Sequence, residues 1–168
     1  MLWRMNMKRI FLVTLIILLT ACSSGEKEYK MGLQYLKEGK ADLAKEYFLK
    51  AVEKNPDRAS CYINIAKLYL EKGWLEGAIT NCLKAIDVLE TKRRTVTGIP
   101  YEIVLSEAYN TLGEIEVQKT KQGEMSLDLD TFQIQNFSTA LNHFAKALQL
   151  DPKNAKAEAN FNKYQKGM

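Results

Sequence analysis

The residues with the sharpest chemistry in this 168-residue chain are few: three cysteines, Cys22, Cys61 and Cys82, and a single histidine, His143. A histidine can move a proton or hold a metal, but a metal site needs partner ligands at set spacing. His143 lies among Asn142, Phe144 and Lys146 with no cysteine or acid so placed. No glycine-rich phosphate loop follows a strand pattern, and the carboxylates are scattered as on any solvated helix. Pairs such as Glu46 with Lys50 need only be surface ion pairs at helical spacing. These patterns argue against an enzyme and identify no catalytic residue, no metal ligand and no cofactor. Cys61 and Cys82 leave two readings open. A disulfide would close a loop of about 20 residues and contribute about 3 kcal/mol; otherwise Cys82 is a small buried hydrophobe beside an unrelated thiol.

Cys22 stands in a different context. Arg4, Lys8 and Arg9 precede the apolar run "IFLVTLIILLT", Ile10 to Thr20, and small residues follow it. Positive charge, apolar segment and small residues in that order are the layout of a secretory signal peptide. The run holds eleven residues; a helix needs roughly 20 to cross the hydrocarbon of a bilayer, so the run suits a transient export signal rather than a permanent span. The junction "LTAC", Leu19 to Cys22, resembles the lipobox of bacterial lipoproteins. That resemblance implies cleavage before Cys22, acylation of its thiol and new amino group, and membrane attachment through the fatty chains. One acyl chain holds a protein marginally, whereas two or three hold it essentially for good. In the family's sorting rule for diderm bacteria, a serine such as Ser23 implies transfer to the outer membrane. The address implied is therefore the bacterial cell envelope, with residues 1–21 as signal peptide and 22–27 as a flexible tether.

Without residues 1–21 the chain carries 21 basic and 20 acidic side chains, so the formal +4 falls to +1. A near-neutral chain gives no global argument for nucleic-acid binding. The one local basic cluster is "TKRRT", Thr91 to Thr95. It reads first as a solvated helix end, where cations offset the carbonyl end of the macrodipole, and second as a polar contact to a partner or a phospholipid headgroup.

Small and aromatic residues recur 34 positions apart: Gly32 with Ala66, Tyr35 with Tyr69, Gly39 with Gly73, Ala44 with Ala78, Phe48 with Cys82, and Ala51 with Ala85. Met31, Gly32 and Tyr35 share one helical face, and Ala44, Phe48 and Ala51 another. Gly39 marks a turn between the two helices, and Asn55 with Pro56 ends the second. The pattern resembles the tetratricopeptide repeat, whose unit is two antiparallel helices with small residues where they cross. The resemblance implies an all-α fold, a superhelix of antiparallel helix pairs with three repeats at about 25–58, 59–92 and 106–153. A capping segment over 154–168 follows, whose Phe161 can cover the last core.

In the third copy Gly113 and Ala140 are 27 apart where their counterparts are 12 apart, so fifteen residues are inserted, within 120–137. Leu127, Leu129 and Phe132 alternate with polar residues there, which suggests a long loop that packs on the protein or a partner. About a dozen further residues, 93–105, precede the third copy. Pro100 suits a first helical position, predicting a helix from about Tyr101 to Lys119 after an "RTVTG" connection.

In this repeat family the first helix of each unit lines an inner surface that takes peptides. The resemblance, position by position, marks Tyr29, Leu33 and Leu36, then Ile63, Lys67 and Leu70, then Asn110, Glu114 and Val117. Such a groove is apolar near its N-terminal end and more polar toward the other, and fits a partner segment with apolar anchors and a few charges. Some members clamp a C-terminal carboxylate with lysine and asparagine on the first helix; Tyr29 and Leu33 stand at those positions, which speaks against that mode. Among lipoproteins of this type the chain looks most like the pilotin and assembly-factor kind serving type IV pili and secretins. Outer-membrane-protein assembly, cell-wall hydrolase and electron-transfer complexes are the alternatives.

Overall fold

The computed structural model describes residues 25–123 and 129–166, with the side chains of 123 and 129–137 outside that description. The expected signal peptide over 1–21, Cys22 and residues 124–128 of the insertion lie outside the described residues. The described residues form seven helices and no strand. These are α1 (Glu26–Lys37), α2 (Ala41–Lys54), α3 (Ala59–Glu71), α4 (Leu75–Lys92), α5 (Tyr101–Gly123), α6 (Leu129–Leu150) and α7 (Ala155–Gln165). The fold is all-α and of tetratricopeptide-repeat type, with α1–α2, α3–α4 and α5–α6 as the helix pairs. The chain divides into two compact units, one ending at Asn55 and the other running from Pro56.

In the first unit α1 and α2 meet through Gly32 and Phe48. A Cβ on Gly32 would lie 2.6 Å from Phe48 Cε1, so the ring of one helix rests directly on the bare backbone of the other. Ala44, Phe48 and Ala51 are fully buried on the face of α2 that the spacing predicts. Tyr29 packs against Phe48 with ring centroids 5.9 Å apart, and Tyr35 against Tyr47 at 5.2 Å.

The second unit repeats the device. A Cβ on Gly113 of α5 would lie 2.5 Å from Phe144 Cε1 on α6. Between these two copies, the α3–α4 pair carries Ala66 and Cys82 at the corresponding positions, both fully buried. The larger residue on the first helix accompanies the smaller one on the second, as a close-packed crossing demands. The cap docks by polar means as well. Ser106 Oγ of α5 donates to the Ala147 carbonyl of α6 at 2.8 Å and accepts from Asn154 Nδ2 at 2.8 Å, while Asn154 Oδ1 caps α7 by accepting from Ala157 N at 3.0 Å. Phe161 and Tyr164 then pack on the cluster of Val117, Ala140 and Phe144.

The insertion departs from the expected loop. Its outer parts are helical, since α5 runs through Gly123 and α6 begins at Leu129. The physical reason lies seven residues after each crossing position. Gly39 and Gly73 adopt φ of 69° and 73°, which ends the first helix of their pairs in a left-handed turn. Their counterpart in α5 is Thr120, a β-branched residue ill-suited to positive φ. Thr120 stays helical and buried, with its hydroxyl donating to the Glu116 carbonyl at 2.9 Å. Both helices of the third pair are thereby lengthened.

The glycine–ring contact predicts a sign against helix propensity. Gly32→Ala gains about 1 kcal/mol of helix propensity but overpacks against a fully buried ring, which costs about 1–3 kcal/mol. Urea unfolding should show net destabilisation by about 1 kcal/mol. Combining it with Phe48→Cys, the pairing α3–α4 already uses, should give a double variant less destabilised than the sum of the two singles. A stabilising Gly32→Ala would mean the ring is free to move.

Candidate functional site

The expected inner-face residues divide by environment. On α1, Tyr29, Leu33 and Leu36 are all half-buried. On α3, Ile63 is 1% exposed and belongs to the core, so it is not available as an open surface contact. Lys67, one turn on, is half-buried and its Nζ pairs with the Glu107 carboxylate of α5. Leu70 is half-buried and lines a groove.

On α5 the three expected residues meet α7. Asn110 is 2% exposed; its amide donates to Glu114 Oε1 at 3.2 Å and its oxygen accepts from Asn160 Nδ2 at 3.0 Å. Buried in this way it positions its neighbours and is not available as a surface contact, which corrects that expectation too. Glu114 also accepts from Asn160 Nδ2 at 3.0 Å and pairs with Lys156 Nζ at 2.9 Å. Val117 is almost wholly buried in the cluster beneath Phe161 and Tyr164.

Leu70, Glu114 and Val117 do come together. With Gln118, Lys121, Asn160 and Tyr164 they line a groove of about 470 Å³ between α3, α5 and α7. Apolar surface comes from Leu70, Val117 and the Tyr164 ring; donors and acceptors come from two amides, one carboxylate and one ammonium. Gln118 and Gln122 also face the turn after α3, where a Cβ on Gly73 would lie 3.9 Å and 3.7 Å from their Nε2 atoms. A side-chain amide offers one donor pair and one acceptor, the complement of a peptide group. The arrangement can hold a chain segment; it presents no nucleophile with an adjacent base.

Gln118 and Lys121 escaped the sequence reading although they follow Glu114 and Val117 by one turn. Asn160 and Tyr164 escaped because residues 154–168 read only as a cap, yet Ala157, Asn160, Phe161 and Tyr164 recur at helical spacing. That recurrence was the available signal.

Groups with perturbed titration lie away from the groove mouth and are explained by packing. Burial pushes the Cys82 thiol up to about 12, and its Sγ donates to the Ala108 carbonyl at 3.1 Å. Cys61 is buried as well, and no disulfide joins the two. Tyr109 is raised to about 12 by burial and then by its hydrogen bond to Glu90 Oε1, 2.9 Å long. His143 stacks on Tyr109 at 6.0 Å, and burial lowers its pKa against the pull of Glu116. Among the described residues no three His, Cys, Asp or Glu side chains cluster as a metal would require, and no helix is long and apolar enough to cross a membrane.

Two family models, each described as tetratricopeptide repeat, match residues 29–58 and 47–80. The fold is similar to that of the Arabidopsis OM64 tetratricopeptide-repeat domain (TM-score 0.64, 19% identity, covering 88% of this chain and 99% of that one). It is similar to the first such domain of Spaghetti (RPAP3) bound to an HSP90 peptide (TM-score 0.63, 18% identity, 86% and 93%). It is also similar to a thermophilic tetratricopeptide-repeat protein of Thermus thermophilus (TM-score 0.67, 19% identity, 85% and 65%). At these identities the likeness speaks for the fold. No curated protein matches the sequence significantly.

The raised Cys82 pKa sets a pH dependence. The folded state favours the neutral thiol, so the stabilisation is intact below the ordinary thiol pKa of 9.0 and is lost as pH rises toward about 12. Iodoacetamide at pH 8 should therefore leave Cys61 and Cys82 unmodified in folded protein and alkylate both in urea. Rapid labelling of the folded chain would show the thiols to be accessible.

Proposed function

We propose that this chain, built on tetratricopeptide repeats, is a protein-interaction adaptor. Its α3–α5–α7 groove receives a peptide segment of a partner, while fatty chains on Cys22 hold the module at a bacterial membrane, the outer membrane of a diderm cell. The observation that carries the binding role is the groove itself. Apolar anchor surface from Leu70, Val117 and Tyr164 stands beside the amides of Gln118 and Asn160 and the opposed charges of Glu114 and Lys121. An apolar cleft with a few convergent polar groups is the usual form of a recognition site. A peptide is the ligand class that uses all of it, with side chains entering the apolar floor and backbone amides meeting the side-chain amides.

The Spaghetti (RPAP3) domain, similar in fold, holds an HSP90 peptide. That supports the ligand class and leaves the sequence of the bound segment to the groove's own chemistry. Leu70 and Val117 ask for an aliphatic or aromatic anchor and Lys121 for an acid, while Glu114 is already met by Lys156, Asn110 and Asn160. The anchoring role rests on "LTAC" at the end of an export signal, and cell-envelope assembly, such as pilus or secretin biogenesis, is the setting that joins an anchored module to a peptide groove.

A photocrosslinking residue at Leu70 or Tyr164 should capture one discrete partner in native membranes, and one at exposed Leu83 of α4 should not. Leu70→Glu should reduce capture more than tenfold, on the order expected for a charge set into an apolar contact, with helical content unchanged. Equal capture from Leu70 and Leu83, or undiminished capture by Leu70→Glu, would remove the groove as the site.

A further inference from the structure

The connection between α4 and α5, residues 93–100, is longer than the other connections among the described residues, and it exposes two aliphatic side chains. Val96 and Ile99 are 40% and 48% exposed, and Ile103, in the first turn of α5, is 45% exposed. The stretch from Thr91 to Ile103 holds three cations, Lys92, Arg93 and Arg94, against one acid, Glu102, and stays net positive. The loop is shaped rather than slack. Arg93 ends α4 at φ 49°, which turns the chain and lays its guanidinium over the Tyr101 ring, 5.6 Å from the centroid, with Nη2 donating to the Tyr101 hydroxyl at 3.0 Å. The Thr95 hydroxyl closes the loop by donating to the Ile99 carbonyl.

Beneath this loop lies a second cavity, of about 300 Å³, lined by Glu90, Arg93, Tyr101, Leu105, Lys146 and Leu150. Its single carboxylate, Glu90, is already engaged by the Tyr109 hydroxyl at 2.9 Å. Lys92, next to the loop, pairs with Asp57 at 3.6 Å. Two cations, one carboxylate and a phenol therefore border the pocket, a net positive lining, and three exposed aliphatic residues stand in the adjoining loop and the first turn of α5. A polyanion without apolar surface would match the cations and leave the aliphatics in water. A bilayer surface matches both at once: apolar side chains enter the headgroup and acyl boundary while cations remain among phosphates.

We propose that residues 93–103, with the pocket beneath them, dock on an anionic phospholipid surface. Val96, Ile99 and Ile103 enter the headgroup layer, and Arg93, Arg94 and Lys146 meet lipid phosphate. The inference rests on the anchored reading given above, because fatty chains at Cys22 supply the effective concentration at which a small surface contact becomes populated. Each cation near such a surface strengthens binding about fivefold. The contact would fix how the module faces the membrane, which a flexible tether leaves free.

The test uses the full chain processed and lipidated in cells, carrying Ile99→Cys labelled with an environment-sensitive fluorophore; the native Cys61 and Cys82 are buried. It is reconstituted into vesicles of phosphatidylglycerol and phosphatidylethanolamine, or of phosphatidylcholine alone. The label should be quenched by brominated lipid in the anionic vesicles and not in phosphatidylcholine. Salt at about 0.5 M, or Arg93→Glu with Arg94→Glu, should reduce the quenched fraction more than about tenfold. If the protein floats with vesicles while the label stays aqueous, the anchor stands and this contact is overturned. Quenching equal in both lipids and indifferent to the paired charge reversal overturns it as well. A blue shift seen only when native membrane proteins are present overturns it in favour of an acidic protein partner. If the protein does not float, the anchored reading fails and the contact with it.

Discussion

A phenylalanine ring seated on a glycine is the constraint from which the rest of the architecture follows. Gly32 under Phe48 and Gly113 under Phe144 bring two helix backbones to the distance at which no Cβ fits between them. Close approach concentrates dispersion contacts at the crossing and sets the angle at which the remaining side chains interdigitate. Ala66 with Cys82 solves the same volume problem differently, a larger floor under a smaller lid. Each crossing is filled largely by residues from its own pair, and the side chains on the outer edges of the first helices are left over for other uses.

What became of those leftover side chains differs along the chain. Ile63 went inward. Lys67 was taken up by Glu107. On α5, α7 lies close enough to engage Asn110 and Glu114 in a network with Asn160 and Lys156, so polar residues that would suit an open groove instead brace its wall. Buried polar groups demand partners, and here the partners come from a helix some fifty residues away in sequence. The opening that survives is built as much by Gln118, Lys121, Asn160 and Tyr164 as by the positions a repeat register marks.

The two cavities of the second unit divide chemistry between them. The α3–α5–α7 groove mixes amides, one acid and one base around apolar floor, as suits a peptide. The pocket under the α4–α5 connection is bordered by two cations, one carboxylate, a phenol and two leucines, a net positive lining. Neither contains a nucleophile with a base, and the Cys82 thiol is held neutral by burial, its S–H donating to the Ala108 carbonyl.

The sequence by itself determined the helix pairs. Small residues at a 34-residue period with turn glycines in the first two copies, and a proline after the second helix of the first and third, are local signals, each acting within a few residues, and with the matching "EAYNTLGEIE" they placed the crossings at Gly32, Ala66 and Gly113. Even the lengthened third pair was legible in retrospect, since Thr120 stands where the other copies have a turn glycine. Tertiary structure decided which polar residues are surface and which are scaffold. Whether Asn110 meets water or Asn160 depends on where α7 packs, and that depends on the summed fit of Ser106, Asn154, Phe161 and Tyr164 against a surface assembled from α5 and α6. Periodicity describes one helix at a time; a groove exists only where the faces of several meet, and no local spacing encodes that meeting.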